Sequence, residues 1–177
     1  MAKSLQDSST YFITAICLIV VAIILQAVAL ATPNWIVFSY EGVVGTRTGL
    51  WRSCSEVIGL VLCEESNFRG EGWFIAVQVL ETVGLAFTVI SLILSMVLFL
   101  AVTSKLLVKV NINICSIGGS CIGIGLTIFV IKTFTDDSLN HGHFGYSYWL
   151  AIAAMLVLCI VSGLLWCDKR KSGRANL

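Results

Sequence analysis

Residues 35–63 read WIVFSYEGVVGTRTGLWRSCSEVIGLVLC, and the spacing of Trp35, Gly49-Leu50-Trp51, Cys54 and Cys63 within them decides the architecture. The segment is polar and mixed, yet it follows directly on the apolar run Tyr11 to Thr32. Paired cysteines in a polar stretch beside a membrane span point to an oxidising face, where a disulfide persists. The segment is therefore expected to look outward or into a secretory lumen. Leu50 to Cys54 and Leu60 to Glu64 read as two short strands, with Glu56 to Gly59 as the turn between them. A Cys54–Cys63 bond would staple that hairpin across its strands, closing a loop worth roughly 2.5–3 kcal/mol in the chain-entropy model. Two free thiols are the alternative reading.

Beyond this segment the composition is that of a membrane protein. The chain is 58% hydrophobic and 12% charged, with a mean hydropathy of +0.95, whereas soluble domains carry about 25% charged residues. Charge-free stretches run from Ser8 to Tyr40, Thr82 to Ser104, Val110 to Ile131 and Ser138 to Cys167. Each exceeds the roughly 20 residues that cross the hydrocarbon as a helix. The expectation is a single domain over 1–177, all-α in its membrane part: a bundle of four spans at about 11–32, 72–104, 110–131 and 144–167. A small antiparallel β-sheet is expected in the first extracellular loop, about 33–71, and a short connector in the second, about 132–143. Ala27-Val28-Ala29-Leu30-Ala31 looks like a signal cleavage site, but the run is longer than a typical signal core and only Lys3 precedes it, so it is read as a retained span.

Orientation follows from the basic residues, which are retained on the cytoplasmic side near spans. Lys3, Lys105, Lys109, Lys169, Arg170, Lys171 and Arg174 fall on one side, against Arg47, Arg52, Arg69 and Lys132 on the other. Both termini are thus expected in the cytoplasm and the cysteine pair outside. The second helix, read from Gly72 to Ser104, would be about 50 Å long, against a hydrocarbon thickness of about 30 Å. Its outer end should project and support the sheet, leaving Glu81 hydrated at the interface. On the third span Ser116, Gly119, Ser120 and Gly123 form a small-residue stripe that favours close helix packing, within the bundle or in a dimer.

With these residues laid out, the chain resembles the claudin superfamily of four-span proteins, which includes the peripheral myelin, epithelial membrane and lens fibre membrane proteins and the calcium-channel gamma subunits. The resemblance covers nearly the whole chain and rests on Trp35, Gly49, Leu50, Trp51, Cys54 and Cys63. Pro33-Asn34-Trp35 is similar to the claudin entry into the first loop. Trp35-Ile36-Val37, Val77-Gln78 and Phe144-Gly145-Tyr146-Ser147-Tyr148 resemble the myelin and epithelial branch. The resemblance implies a left-handed four-helix bundle bearing an outer sheet, with Trp51 anchoring the sheet at the membrane surface, a position that suits an indole.

For function the resemblance implies adhesion and a paracellular barrier or pore at cell–cell contacts of the plasma membrane, with the protein pairing with itself in cis and in trans. Glu64 and Glu65, with Glu56, would then favour cations. An auxiliary subunit of an ion channel or receptor, and a membrane organiser like the myelin relatives, are the rival expectations. Nothing in the sequence points to an enzyme, a cofactor or a nucleic-acid partner. His141 and His143 near Asp136 and Asp137 are read as an exposed polar loop rather than a metal site. Cys167, beside Lys169, Arg170 and Lys171, is a candidate for S-palmitoylation, and the basic tail is expected to rest on anionic membrane lipid. Leu177 would enter the groove of a PDZ scaffold. No Asn-x-Ser/Thr sequon occurs.

Overall fold

The computed structural model describes residues 10–39, 45–57, 60–66, 70–100, 104–136, 139 and 142–174. Helices α1 (Thr10–Ala31), α2 (Gly72–Leu100), α3 (Lys105–Thr135) and α4 (Tyr146–Arg174) are each long and apolar enough to cross a membrane. In hydrocarbon no water satisfies a backbone N–H or C=O, so the chain must close those bonds internally as helix. Hydroxyls follow the same rule. Thr14, Thr82, Thr88, Ser95, Ser116, Ser120, Thr127 and Thr133 each donate to the carbonyl four residues back on their own helix.

Each helix packs on its chain neighbours, and α1 against α4 closes the ring. The interior seams repeat at alternating intervals of three and four residues. On α1 they run Ala15, Ile19, Ala22, Gln26, Ala29, and on α2 Phe74, Val77, Glu81, Gly84, Thr88, Ser91, Ser95, Leu98. That 3.5-residue period is the one that keeps a seam facing its partner in a left-handed bundle. Large side chains such as Ile24, Ile93, Leu156 and Ile160 face outward instead. Lipid is as apolar as leucine, so tight packing of small residues rather than hydrophobic exclusion holds the interior together. The α2–α3 contact depends on it most: a Cβ built on Gly84 would lie 2.5 Å from Ile122 Cγ1, and one on Gly118 would lie 3.2 Å from the Gly84 carbonyl oxygen.

The strands are β1 (Ile36–Ser39), β2 (Gly45–Thr48), β3 (Arg52–Val57), β4 (Leu60–Glu65) and β5 (His143–Phe144). They form one five-stranded antiparallel sheet in the order β4-β3-β2-β1-β5. The hairpin expected around the cysteines is present, but its strands run further than the sequence suggested, with pairing continuing to Val57↔Leu60. Two strands were not expected. β2 lies in a Gly-Thr-Arg-Thr stretch with no apolar alternation to announce it, and β5 turns the second connecting segment from a plain connector into the sheet's far edge. α3 begins at Lys105 and ends at Thr135, so it takes in the basic link and Lys132 that the sequence reading left outside the span.

The turn between β2 and β3 sits against the end of α1. A Cβ on Gly49 would fall 2.5 Å from Pro33 Cα and 2.8 Å from the Thr32 carbonyl oxygen, both backbone atoms that have no room to yield. Gly49→Ala is expected to destabilise the protein by about 3 kcal/mol, the upper range for overpacking. Gly163→Ala, which meets nothing within 4 Å, should be neutral; thermal denaturation of the two variants in detergent makes the comparison.

Candidate interaction site on the seated sheet

Pro33, the only proline in the chain, ends α1 and has no N–H to offer the carbonyl four residues back. That carbonyl belongs to Ala29, which is fully buried. The indole Nε1 of Trp35 donates to it at 2.8 Å and fills the vacancy. The same residue works through its backbone: its N–H donates to the Thr48 carbonyl at 3.0 Å, and its carbonyl accepts from Gly145 N at 3.0 Å. The ring is 1% exposed and meets Phe129 and Tyr148 edge-on, with centroids 5.0 and 6.2 Å away. Trp35 thus joins the end of α1, the sheet, α3 and α4. Next to it, Asn34 accepts from Ser147 N at 3.1 Å, and the Thr32 and Ser147 hydroxyls are 2.7 Å apart, which ties α1 to the start of α4.

Gly49, Leu50 and Trp51 divide the remaining work. Gly49 permits the close approach described above. Leu50 is buried, and its carbonyl accepts from Gln78 Nε2 of α2 at 2.5 Å. Trp51 is 49% exposed. Its indole therefore has the outward placement that an interfacial anchor requires, while the seating of the sheet on the bundle is carried by Trp35 and Leu50.

Cys54 and Cys63 stand directly opposite each other in the β3–β4 ladder and are joined by a disulfide, with Cα atoms 4.1 Å apart. Side chains in a strand alternate between faces, and register then sorts the acidic residues. Cys54, Glu56, Cys63 and Glu65 share one face with Arg47 and Arg52. Glu64 lies on the other face, opposite Ser53. The three carboxylates named from the sequence are all exposed, but they do not gather on one face. Glu56 and Glu65 have two arginines beside them, which leaves Glu64 as the carboxylate with the least local compensation.

Strand β4 is an edge, and every side chain along it is exposed. Leu60, Val61 and Leu62 are 67%, 63% and 59% exposed. An apolar edge strand presents unpaired backbone donors and acceptors together with apolar side chains, the combination that templates pairing with another chain.

Glu81 corrects the sequence reading. It was expected to be hydrated at the interface, but it is fully buried between helices, where its Oε2 accepts from Gln26 Nε2 of α1 at 2.5 Å. Gly125 of α3 makes room for the carboxyl, since a Cβ there would lie 2.8 Å from Glu81 Oε1. Position along the helix gave its depth, but direction around the helix decides its burial, and Glu81 falls on the inner seam. Gly119 and Gly123 face α4, against Leu158 and Met155, so their packing role lies within the bundle. Gly118 and Gly125, which the stripe did not single out, serve the α2 side. Cys167 is a free, exposed thiol beside Trp166 on α4. His143 pairs with Val37 in the sheet, while His141, Asp137 and Leu177 lie outside the described residues.

Trp35→Phe keeps an aromatic ring, though a smaller one, and loses the bond to Ala29, so it should cost about 1–3 kcal/mol, the range for a buried carbonyl left unsatisfied. Trp35→Ala should cost about 3–5 kcal/mol. Chemical or thermal unfolding in detergent gives the order wild type, Phe, Ala.

Compared with individual curated proteins, the chain has no match. The model of the PMP-22/EMP/MP20/Claudin family matches residues 8–166, which takes in all five strands, nearly all of the four helices and the Trp35, Gly-Leu-Trp and disulfide constellation. This multi-pass membrane protein belongs to the PMP-22/EMP/MP20/Claudin family.

Proposed function

We propose that the protein is a non-enzymatic component of cell–cell contacts in the plasma membrane, with the sheet on the outer face and both termini in the cytoplasm. The disulfide supports that orientation because it persists only on an oxidising side, and Lys105, Lys109, Lys169 and Arg170 at the end away from the sheet support it through the retention of basic residues in the cytoplasm. One observation carries the functional reading: an exposed edge strand, β4, apolar over Leu60–Leu62, on a sheet hydrogen-bonded to the bundle through Trp35 and Leu50. Such an edge suits lateral pairing with a second copy and contact with a like protein on the opposing cell, giving adhesion and a paracellular barrier.

If copies line a path between cells, Glu64 sits on the pairing strand with its charge least offset, and negative charge at a narrow aqueous path favours cations. Dilution potentials across an epithelial monolayer expressing the protein should shift toward cation preference. Glu64→Gln should remove most of that shift and Glu65→Gln less of it. Unchanged selectivity in the Glu64 variant would leave a barrier without a charge-selective pore.

The same exposed strand favours a second reading, an auxiliary subunit whose sheet rests on a channel or receptor. Pull-down from native membranes separates the two, since recovery of a channel supports the subunit and recovery of the protein with itself and junction scaffolds supports adhesion. Membrane organisation without altered permeability is a third reading. Cys167 would carry an acyl chain at the cytoplasmic surface.

A further inference from the structure

Helices α3 and α4 meet along a ladder with a seven-residue step. Gly123 faces Met155, whose Sδ would be 3.1 Å from a Cβ on the glycine. One step on, the Ser116 hydroxyl donates to that of Ser162 at 3.3 Å. A seven-residue step returns a helix to nearly the same face, drifting by about 20°. Continuing the step from 123 and 116 to 109, and from 155 and 162 to 169, Lys109 and Lys169 fall at the next register position of the two helices. Both side chains are exposed.

Two ammonium groups at matching register positions on neighbouring helices offer a multiply charged anion a cation from each. Among the described residues at this end of α3 and α4, basic side chains outnumber acidic ones. Lys105, Lys109, Lys169, Arg170, Lys171 and Arg174 belong to this end of the two helices by sequence, and Asp168 is the acidic residue among them. Beside the rung, the Arg170 guanidinium lies 4.3 Å from the ring centre of Trp166, an indole that is 48% exposed. Stacking on the ring uses the guanidinium's face and leaves its in-plane N–H fork free, the geometry that binds phosphate in bidentate fashion. An exposed tryptophan marks the depth at which lipid headgroups begin.

We propose that the Lys109–Lys169 rung, with Arg170 beside it, binds the headgroup of an anionic phospholipid carrying phosphomonoesters, which lies between α3 and α4 at the end of the bundle opposite the sheet. The multiple charge of such a headgroup suits cations contributed by two helices, and its acyl chains run along the lipid-facing groove of the same pair. This site is independent of the cell-contact reading, which concerns the other end of the molecule.

The test uses the full-length protein in neutral detergent, titrated with dioctanoyl phosphatidylinositol bisphosphate, with dioctanoyl phosphatidylcholine and with soluble inositol trisphosphate, and read by native mass spectrometry. The inositol lipid should bind more tightly than either of the others. Lys109→Gln with Lys169→Gln should weaken it about thirtyfold, the factor for losing two charges at the membrane surface. Lys109→Arg with Lys169→Arg should retain binding, which separates loss of charge from loss of fold, and Arg47→Gln with Arg52→Gln on the sheet should leave it unchanged. Equal binding by the neutralised pair, loss of binding in the arginine pair, or trisphosphate binding as tight as the lipid would each overturn the proposal.

Discussion

A helix that ends at a proline inside an apolar bundle leaves a carbonyl without a donor, and the arrangement of this protein depends on how that vacancy is filled. At Ala29 the donor is the Trp35 indole. Because the indole must reach back into the bundle, the backbone of Trp35 is fixed where it can bond both Thr48 and Gly145. That sets the height and tilt of β1, and the other strands follow by register. Gly145 completes the joint: a Cβ there would lie 2.1 Å from the Asn34 carbonyl oxygen, so the start of α4 closes on the end of α1 only through a glycine.

Below this joint the usual distribution of residue types is turned outside in. α2 presents Glu81, Gly84, Thr88, Ser91 and Ser95 to the interior, and Asn111 of α3 bonds both Ser91 and Ser95 at 2.8 Å. A soluble bundle would place leucine at these positions. In lipid the outward face is already satisfied by apolar side chains, and interior polar groups pair with one another, although Gln26 Oε1 and Glu81 Oε1 are buried without a hydrogen-bond partner among the described residues. The interior bonds therefore fix the register of α2 on α3, while glycines allow the backbones near enough for them to form. In the proposed reading, function falls to the parts outside the hydrocarbon: the sheet edge at one end and the basic residues at the other.

Much of this could be read from the chain. Long charge-free runs locate the spans, because the length needed to cross hydrocarbon is fixed. The cysteine spacing gives a hairpin because both residues stand in short β-prone runs flanked by turn residues. Other features resisted for definite reasons. β2 has no hydrophobic alternation, and β5 is too short to show any. Glu81 was misplaced because depth was considered without direction, although the three-and-four spacing from Phe74 to Leu98 puts it on the inner seam. The faces of Glu56, Glu64 and Glu65 follow from strand parity once the register through Cys54 and Cys63 is known, since neighbours in a strand point to opposite sides. Trp35 is legible as a motif residue, and Pro33 marks Ala29 as the carbonyl left open, but nothing in the motif says that the Trp35 indole turns back to fill it.

The central claim is that the sheet is a rigid extension of the bundle, joined through Trp35. Hydrogen exchange resolved to single residues, on the protein in lipid nanodiscs, tests this most directly. Backbone amides of Trp35 and Gly145 and the Trp35 indole N–H should exchange as slowly as amides in the last turns of α1. Exchange at these three sites at the rate of an unstructured peptide, with α1 itself protected, would contradict the account.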